Sequence, residues 1–414
     1  MPIPWSFVRV CDMKFSVLLP TRNRLDLLSR AIETVRRQDY GNWEIIVSDN
    51  FSEEDVAGYI QSIGDSRIKY FRTDRFIPVT DNWNNALDHS EGDYVIMLGD
   101  DDGLMREYFS TMSRMIERFN APEFIYTSAF LYAYPSVMPD FPDGFLRIYS
   151  KRKIFQSASD PFWLEKNKAI GFAQDSLDFR VTFDYNMQFS LVSRELIERM
   201  KEYGSFYQSP YPDYYATNAM MLKARRILVV PQPLVTIGIS PKSFGFYYFN
   251  DAESDGNEFL NNLPDSDMVN RLQKVILPGI TMNTSWLISM ETLAVNFGEE
   301  LDVRVSYARY RLVQIFAIYA AVIAGGNQGK KLIQVKKKMY LSEWLRYGII
   351  LSIITSLVSV RLIPKRYRAY LSRRVQAASG SHPVTSMPEV KGKFSTILDV
   401  FEQVDPKSGK KSVA

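Results

Sequence analysis

Cysteine and histidine are nearly missing from this chain of 414 residues, which has one cysteine, Cys11, and two histidines, His89 and His382. A single cysteine excludes an intramolecular disulfide and a cysteine-rich zinc site. Two histidines leave little basis for a multi-histidine metal centre or a Ser-His-Asp triad. No G-x-G-x-x-G follows the first strand-like run and no G-x-x-x-x-G-K-S/T occurs, which disfavours dinucleotide-binding and P-loop folds. A charge excess is lacking too. Fifty Lys and Arg face 47 Asp and Glu, a net +3, so nucleic acid is not an expected partner. The stretch before Met13 has no long apolar core of a signal peptide. Residues 1–13 are expected to be an N-terminal extension, and a reducing cytoplasm fits the cysteine count.

What is present is a regular alternation. Phe15–Leu19 reads as a buried strand ended by Pro20, and apolar residues at helical spacing follow over 25–38. Trp43–Val47 is a second strand and 53–63 a second helix. Ile68–Phe71 is a third strand, 81–90 a third helix, and 93–98 a fourth strand. A helix over 104–119 and a strand at Phe124–Tyr126 continue the series. Strands alternating with helices predict an α/β domain with a mostly parallel sheet. It is expected to span 14–265, with a loop-rich insertion at 130–180 and a strand at Ile227–Val230. Residues 266–376 read as a helical C-terminal region. Residues 377–414, rich in Ser, Gly, Pro and Lys, read as a flexible tail.

Three consecutive carboxylates, Asp100, Asp101 and Asp102, follow the apolar run Tyr94–Leu98 and Gly99. Like charges at the end of a buried strand raise one another's energy unless a cation offsets them. Hard divalent ions take oxygen ligands and bridge to phosphates. The edge beyond the carboxyl ends of parallel strands is also where open α/β sheets bind ligands. The triplet therefore suggests a site for Mg²⁺ or Mn²⁺ and a diphosphate, or else an acidic turn capping the next helix.

Four segments lie in register: Val17-Leu18-Leu19-Pro20-Thr21-Arg22-Asn23, Ile45-Ile46-Val47-Ser48-Asp49-Asn50, Asn82-Trp83-Asn84-Asn85 leading to Gly92-Asp93-Tyr94-Val95, and Met97-Leu98-Gly99-Asp100-Asp101-Asp102. Together they resemble family 2 glycosyltransferases, which have the GT-A nucleotide-sugar fold, over about residues 14–240. The resemblance implies that Pro20, Thr21 and Asn23 line a nucleotide pocket, that Asp49 contacts the nucleoside, and that Asn84 belongs to the donor site. It places Asp100, Asp101 and Asp102 in the D-x-D region, Asp100 and Asp101 toward the donor. Asp102 is the favoured ligand of Mn²⁺ or Mg²⁺ and Asp100 the second. Gly99 stands where many relatives carry an acid, so which two carboxylates face the metal stays open. Asp213, in Pro210-Tyr211-Pro212-Asp213-Tyr214, matches the catalytic base, and by itself also suits a helix cap. Arg72 and Arg75 suit either phosphate or solvent.

The resemblance implies inverting transfer of a sugar from a nucleotide-diphosphate donor to a glycan or lipid-linked glycan acceptor, in bacterial cell-surface polysaccharide synthesis. The rival readings are a non-catalytic nucleotide- or glycan-binding module and a sugar nucleotidyltransferase. The latter is disfavoured because Pro20–Asn23 contains no glycine.

Tyr347–Val360 is uncharged, yet shorter than the roughly 20 apolar residues of a spanning helix. Basic residues on both sides fit an interfacial helix on an anionic cytoplasmic leaflet, a buried bundle helix being the alternative. The expected location is the cytoplasmic face of the membrane, held peripherally.

Overall fold

The computed structural model describes residues 13–138, 140–149, 152–243, 266–378, 387–405 and 410–411. Residues 1–12 of the N-terminal extension, residues 244–265 and 15 of the 38 residues of the C-terminal tail lie outside them. The chain forms two compact units.

The first unit holds 1–173, 183–263 and 387–414. Its elements are β1 (Phe15–Thr21), α1 (Leu25–Arg36), β2 (Trp43–Asp49), α2 (Val56–Ile63), β3 (Ile68–Arg72), α3 (Val79–Asp88) and β4 (Tyr94–Met97). They are followed by β5 (Gly103–Leu104), α4 (Tyr108–Arg118), β6 (Phe124–Ala133), β7 (Phe145–Ile148), β8 (Phe162–Leu164), α5 (Lys166–Leu177, to residue 173 in this unit), β9 (Ser190–Ser193), α6 (Arg194–Met200), α7 (Pro212–Lys223) and β10 (Ile227–Ile239). The sheet runs β3-β2-β1-β4-β9-β6-β10-β5, with β7 on β6 and β8 on β10. Strands β3, β2, β1 and β4 are parallel, as are β6 and β10. Antiparallel β9 joins the two sets. Burial on both faces explains why β1, β2 and β4 read as continuous apolar runs.

Register aligns Thr21 with Asp49 and Asp49 with Arg72, so these three stand in one row at the carboxyl edge. Asp55 caps α2, accepting from the Gly58 N–H at 2.9 Å, and Gly64 ends it with φ +66°.

Three differences from the expected layout have local causes. Gly103 and Leu104 pair with Thr236 and Val235 as β5, so the helix after the acidic triplet starts at Tyr108 instead of 104. Strand β10 continues through Pro231 and Pro233 by shifting register against β6. The 130–180 segment contains β7, β8 and α5, the strands being only four and three residues long, too short to show a period.

The tail also returns to this unit. Pro388 and Val390 hydrogen-bond to Ile148 and Leu146 of β7 at 2.9 and 2.8 Å. Beyond them lies a helix, Ile397–Gln403, whose Ile397, Val400 and Phe401 are buried.

The second unit, 174–182 and 264–386, is helical. It contains α8 (Ser266–Leu272), α9 (Thr281–Leu301), α10 (Tyr307–Ala324), α11 (Gly329–Lys338), α12 (Leu341–Ser359, with one π-type turn at Trp344–Gly348) and α13 (Lys365–Ala378). The helix Ile397–Gln403 is therefore α14. Ile315, Ile318, Tyr319 and Ile323 of α10 pack with Leu351 and Val358 of α12 and Val375 of α13. A buried ion pair, Arg311 to Glu343 at 2.7 Å, sits within this unit.

Candidate active site

The acidic triplet sits where β4 ends, and each carboxylate is held differently. Asp100 accepts from Thr21 Oγ1 at 2.8 Å and from Arg24 Nη1 at 2.9 Å. Asp101 accepts from Ser240 Oγ at 2.8 Å. Asp102 accepts from the Gly238 N–H at 2.8 Å, from the Gly99 N–H at 2.9 Å and from Gln188 Nε2. All three are buried. Burial pushes the Asp101 carboxyl above its ordinary range, with the Asp100 charge adding and Arg24 opposing. Burial and the neighbouring Asp101 also push Asp102 well above the ordinary carboxylate range.

Two chain crossings build this clamp. The turn after β1 supplies Thr21 and Arg24, while the end of β10 supplies Gly238 and Ser240. Lys242 ties the two together: its Nζ donates to the Asn23 carbonyl at 2.9 Å, and its own carbonyl accepts from Arg24. Gly238 is needed for space, because a Cβ there would lie 2.0 Å from the Asp101 carbonyl oxygen. Asn23 takes a left-handed backbone, φ +52°, and its side chain accepts from the Glu53 N–H at 2.7 Å. Pro20 pairs with Ser48 within the sheet.

Asp49 lies beside a cleft of about 470 Å³ lined by Arg22, Phe51, Ser52, Tyr70 and Arg72 among others. Its carboxylate accepts from the Ser52 N–H at 2.9 Å and from the Tyr70 hydroxyl at 2.7 Å. Arg72 stands over the Phe51 ring at 5.1 Å and Arg22 over the Phe76 ring at 3.9 Å. Two guanidinium groups and the Phe51 and Tyr70 rings line this concave surface together with Glu53, Glu54 and Asp55, a mixture that suits a nucleoside.

Asn84 holds a neighbouring stretch of backbone. Its Nδ2 donates to the Tyr207 carbonyl at 2.9 Å and its Oδ1 accepts from the Tyr207 N–H at 3.1 Å. The amide thus pins the 203–209 segment to α3, because a carboxamide matches a peptide's donor and acceptor.

Asp213 lies in the first turn of α7, with Pro212 at the first helical position. Its Oδ1 accepts from the Tyr214 N–H at 2.9 Å. The group is half-buried, and burial pushes its pKa up to about 7, against a lowering from that N–H. A carboxylate that takes a proton near neutrality suits a general base. Thr217 of α7 donates to the Tyr185 carbonyl at 2.8 Å, and Gln188 reaches Asp102. The 185–188 segment therefore bridges the base candidate's helix and the acidic loop.

Arg24, Gln188, Gly238 and Ser240 were not among the residues picked from the sequence. Arg24 stood beside a recognised motif and could have been found. The other three are joined to the triplet only by the tertiary fold.

Among the described residues no three His, Cys, Asp or Glu side chains converge as a metal cage. The donor set nevertheless fits a hard cation: three buried carboxylates share one close guanidinium, Arg24. Mg²⁺-type ions are commonly held by one or two carboxylates plus substrate phosphates.

A mostly parallel sheet with this acidic loop and cleft at its carboxyl edge defines a GT-A-like domain. The model of the family described as "Glycosyl transferase family 2" matches residues 16–201, and that segment belongs to the family. A GalNAc(5)-diNAcBac-PP-undecaprenol beta-1,3-glucosyltransferase of Campylobacter jejuni is 41% identical over 102 residues, 24% of this chain and 33% of that one. A putative colanic acid biosynthesis glycosyl transferase of Escherichia coli is 26% identical over 250 residues, 58% of this chain and 81% of that one. A UDP-Glc:alpha-D-GlcNAc-diphosphoundecaprenol beta-1,3-glucosyltransferase of Escherichia coli is 30% identical over 91 residues, 22% of this chain and 36% of that one. The chain thus spans about a third of the length of the first and third of these relatives.

Proposed function

We propose that this chain is an inverting glycosyltransferase. It takes a sugar from a nucleoside diphosphate donor and passes it to a hydroxyl of a lipid-linked glycan, in bacterial cell-surface polysaccharide synthesis. The observation that carries the reading is the acidic loop at the carboxyl end of β4, clamped between the β1 turn and the end of β10 and set in the same edge as the Asp49 cleft. The relatives' names, two of which specify undecaprenol-linked acceptors and one UDP-Glc, support the donor and acceptor classes.

In this account Asp49, Arg22 and Arg72 hold the nucleoside end of the donor, with Thr21 and Asn23 shaping the adjoining turn. Asp101 is the first candidate for a Mn²⁺ or Mg²⁺ ligand, because Ser240 is its only side-chain donor among the described residues. Asp100 is the second candidate. Asp102, with two backbone N–H groups and Gln188 upon it, orders the loop instead. A divalent ion held there would offset the charge that grows on the diphosphate as its bond to the sugar breaks. Asp213 accepts the proton of the attacking acceptor hydroxyl, and one displacement inverts the anomeric carbon.

The test is transfer of labelled glucose from UDP-glucose to a polyprenyl-diphosphate-linked sugar, with Asp213→Asn in parallel. Transfer by the wild type, lost in the variant while UDP-glucose still binds, supports the reading. Donor binding without transfer to any such acceptor would favour the non-catalytic module.

A further inference from the structure

Helix α12 is predominantly apolar but covered on only one side. Its inner face carries Leu351, Thr355 and Val358, which are buried, and the Tyr319 hydroxyl bonds Ser352 Oγ at 2.8 Å. Its outer face carries Leu341, Leu345, Ile349, Ile353 and Leu357, one residue in every four, with exposures from 37% to 75%. Ile350, Val360 and Leu362 widen this strip, each at least 64% exposed. A water-facing helix ordinarily keeps its apolar residues on the covered face and polar ones outside. An apolar surface of this extent on a water-facing helix marks an interaction site.

The surrounding charge identifies the partner. Between Gly329 and Ala378 the chain carries twelve Lys and Arg and one acid, Glu343. Glu343 is buried against Arg311. Lys337, Lys338, Arg346, Arg361, Lys365 and Arg366 are all exposed, before, within and after the apolar strip. A second copy of the chain would bring the same positive charge against itself, which opposes pairing through this face. A spanning helix would carry one basic flank across the membrane.

We propose that the outer face of α12 lies flat in the interface of an anionic bilayer, with the flanking Lys and Arg on lipid phosphates. Apolar side chains enter the acyl boundary while basic ones stay at head-group level. At 19 residues the helix presents about 28 Å of length to the surface. This inference rests on the second unit alone and does not depend on the donor site.

The experiment is co-sedimentation of the full chain with vesicles of phosphatidylcholine, alone or mixed with phosphatidylglycerol. The expected result is at least tenfold more protein bound to the mixed vesicles, with the excess lost at about 1 M salt, where charges are screened within about 3 Å. Ile349→Glu/Ile353→Glu changes only exposed positions, so it is expected to keep the wild-type Tm and UDP-sugar thermal shift while losing vesicle binding. Lys337→Glu/Lys338→Glu weakens binding severalfold. The proposal is overturned if the wild type stays in solution with the mixed vesicles, or if the Ile variant still binds. It is equally overturned if light scattering shows a dimer that the Ile variant abolishes, which would make this face a contact between copies. Failure of the donor-site reading would show instead as no UDP-sugar shift in a protein that binds vesicles normally.

Discussion

Arg24 Nη1 lies 2.9 Å from Asp100 Oδ1, with both side chains buried, so the turn after β1 and the acidic loop after β4 are joined by an ion pair shielded from water. Removing one partner of such a pair leaves an uncompensated buried charge, at a cost of about 3–5 kcal/mol. Arg24→Ala is therefore expected to lower the urea midpoint strongly. Arg24→Ala/Asp100→Ala should recover part of that loss, because the orphan charge is gone. Equilibrium unfolding of wild type, Arg24→Ala, Asp100→Ala and the double variant checks this; additive single effects would argue against the pair.

Gly238→Ala tests the close approach of β10 to the triplet. The added Cβ would lie 2.0 Å from the Asp101 carbonyl oxygen, so one backbone must move. Overpacking of this kind costs about 1–3 kcal/mol. It would also displace the Gly238 N–H from Asp102. The expected outcome is a lower Tm and a raised KM for the sugar nucleotide, measured in melts and steady-state assays.

Asp213 sets a pH dependence with a definite sign. As a base it must be ionised, so kcat/KM is expected to fall as pH drops below about 7. Asp213→Asn removes that limb and lowers turnover by about 10²–10⁴-fold. Stability moves oppositely. The folded state raises this carboxyl from 3.8 to about 7, so it binds the proton more firmly than the unfolded chain does. Between those pH values the wild type loses stability as pH rises. Asp213→Asn is therefore expected to melt higher than wild type at pH 8 and equally at pH 4.

The returning C-terminal segment is expected to be structural. Ile397 is buried and stands 3.3 Å from where a Cβ on Gly103 would lie, directly after the triplet. The Tyr132 hydroxyl donates to the Phe394 carbonyl at 2.8 Å. Ile397→Ala should cost about 2–5 kcal/mol. Ending the chain at residue 386 should cost more, and differential scanning calorimetry measures both.

These predictions draw on different amounts of sequence information. Strands β1, β2 and β4 were legible because burial on both faces makes them unbroken apolar runs ending in Pro20, Asp49 and Gly99. The helical character of 266–376 was legible as one region, but its division into α8–α13 was not. The full length of β10 was not, since Pro231 and Pro233 look like terminators and only the register shift accommodates them. That gap hid Gly238 and Ser240, half of the clamp. The docking of 387–405 was hidden because a short helix in a Ser-, Gly- and Lys-rich setting owes its burial to partners hundreds of residues away. Asn84 was legible as a special residue, but its hydrogen bonds to Tyr207 depend on a contact 123 positions distant.

Calorimetric titration of UDP-glucose with and without Mn²⁺, on wild type and Asp101→Asn, tests the donor site most directly. The account predicts binding that Mn²⁺ strengthens at least tenfold in the wild type, about 1.4 kcal/mol, and no such gain in the variant. Equal affinity in both proteins, whether or not Mn²⁺ is added, would contradict it.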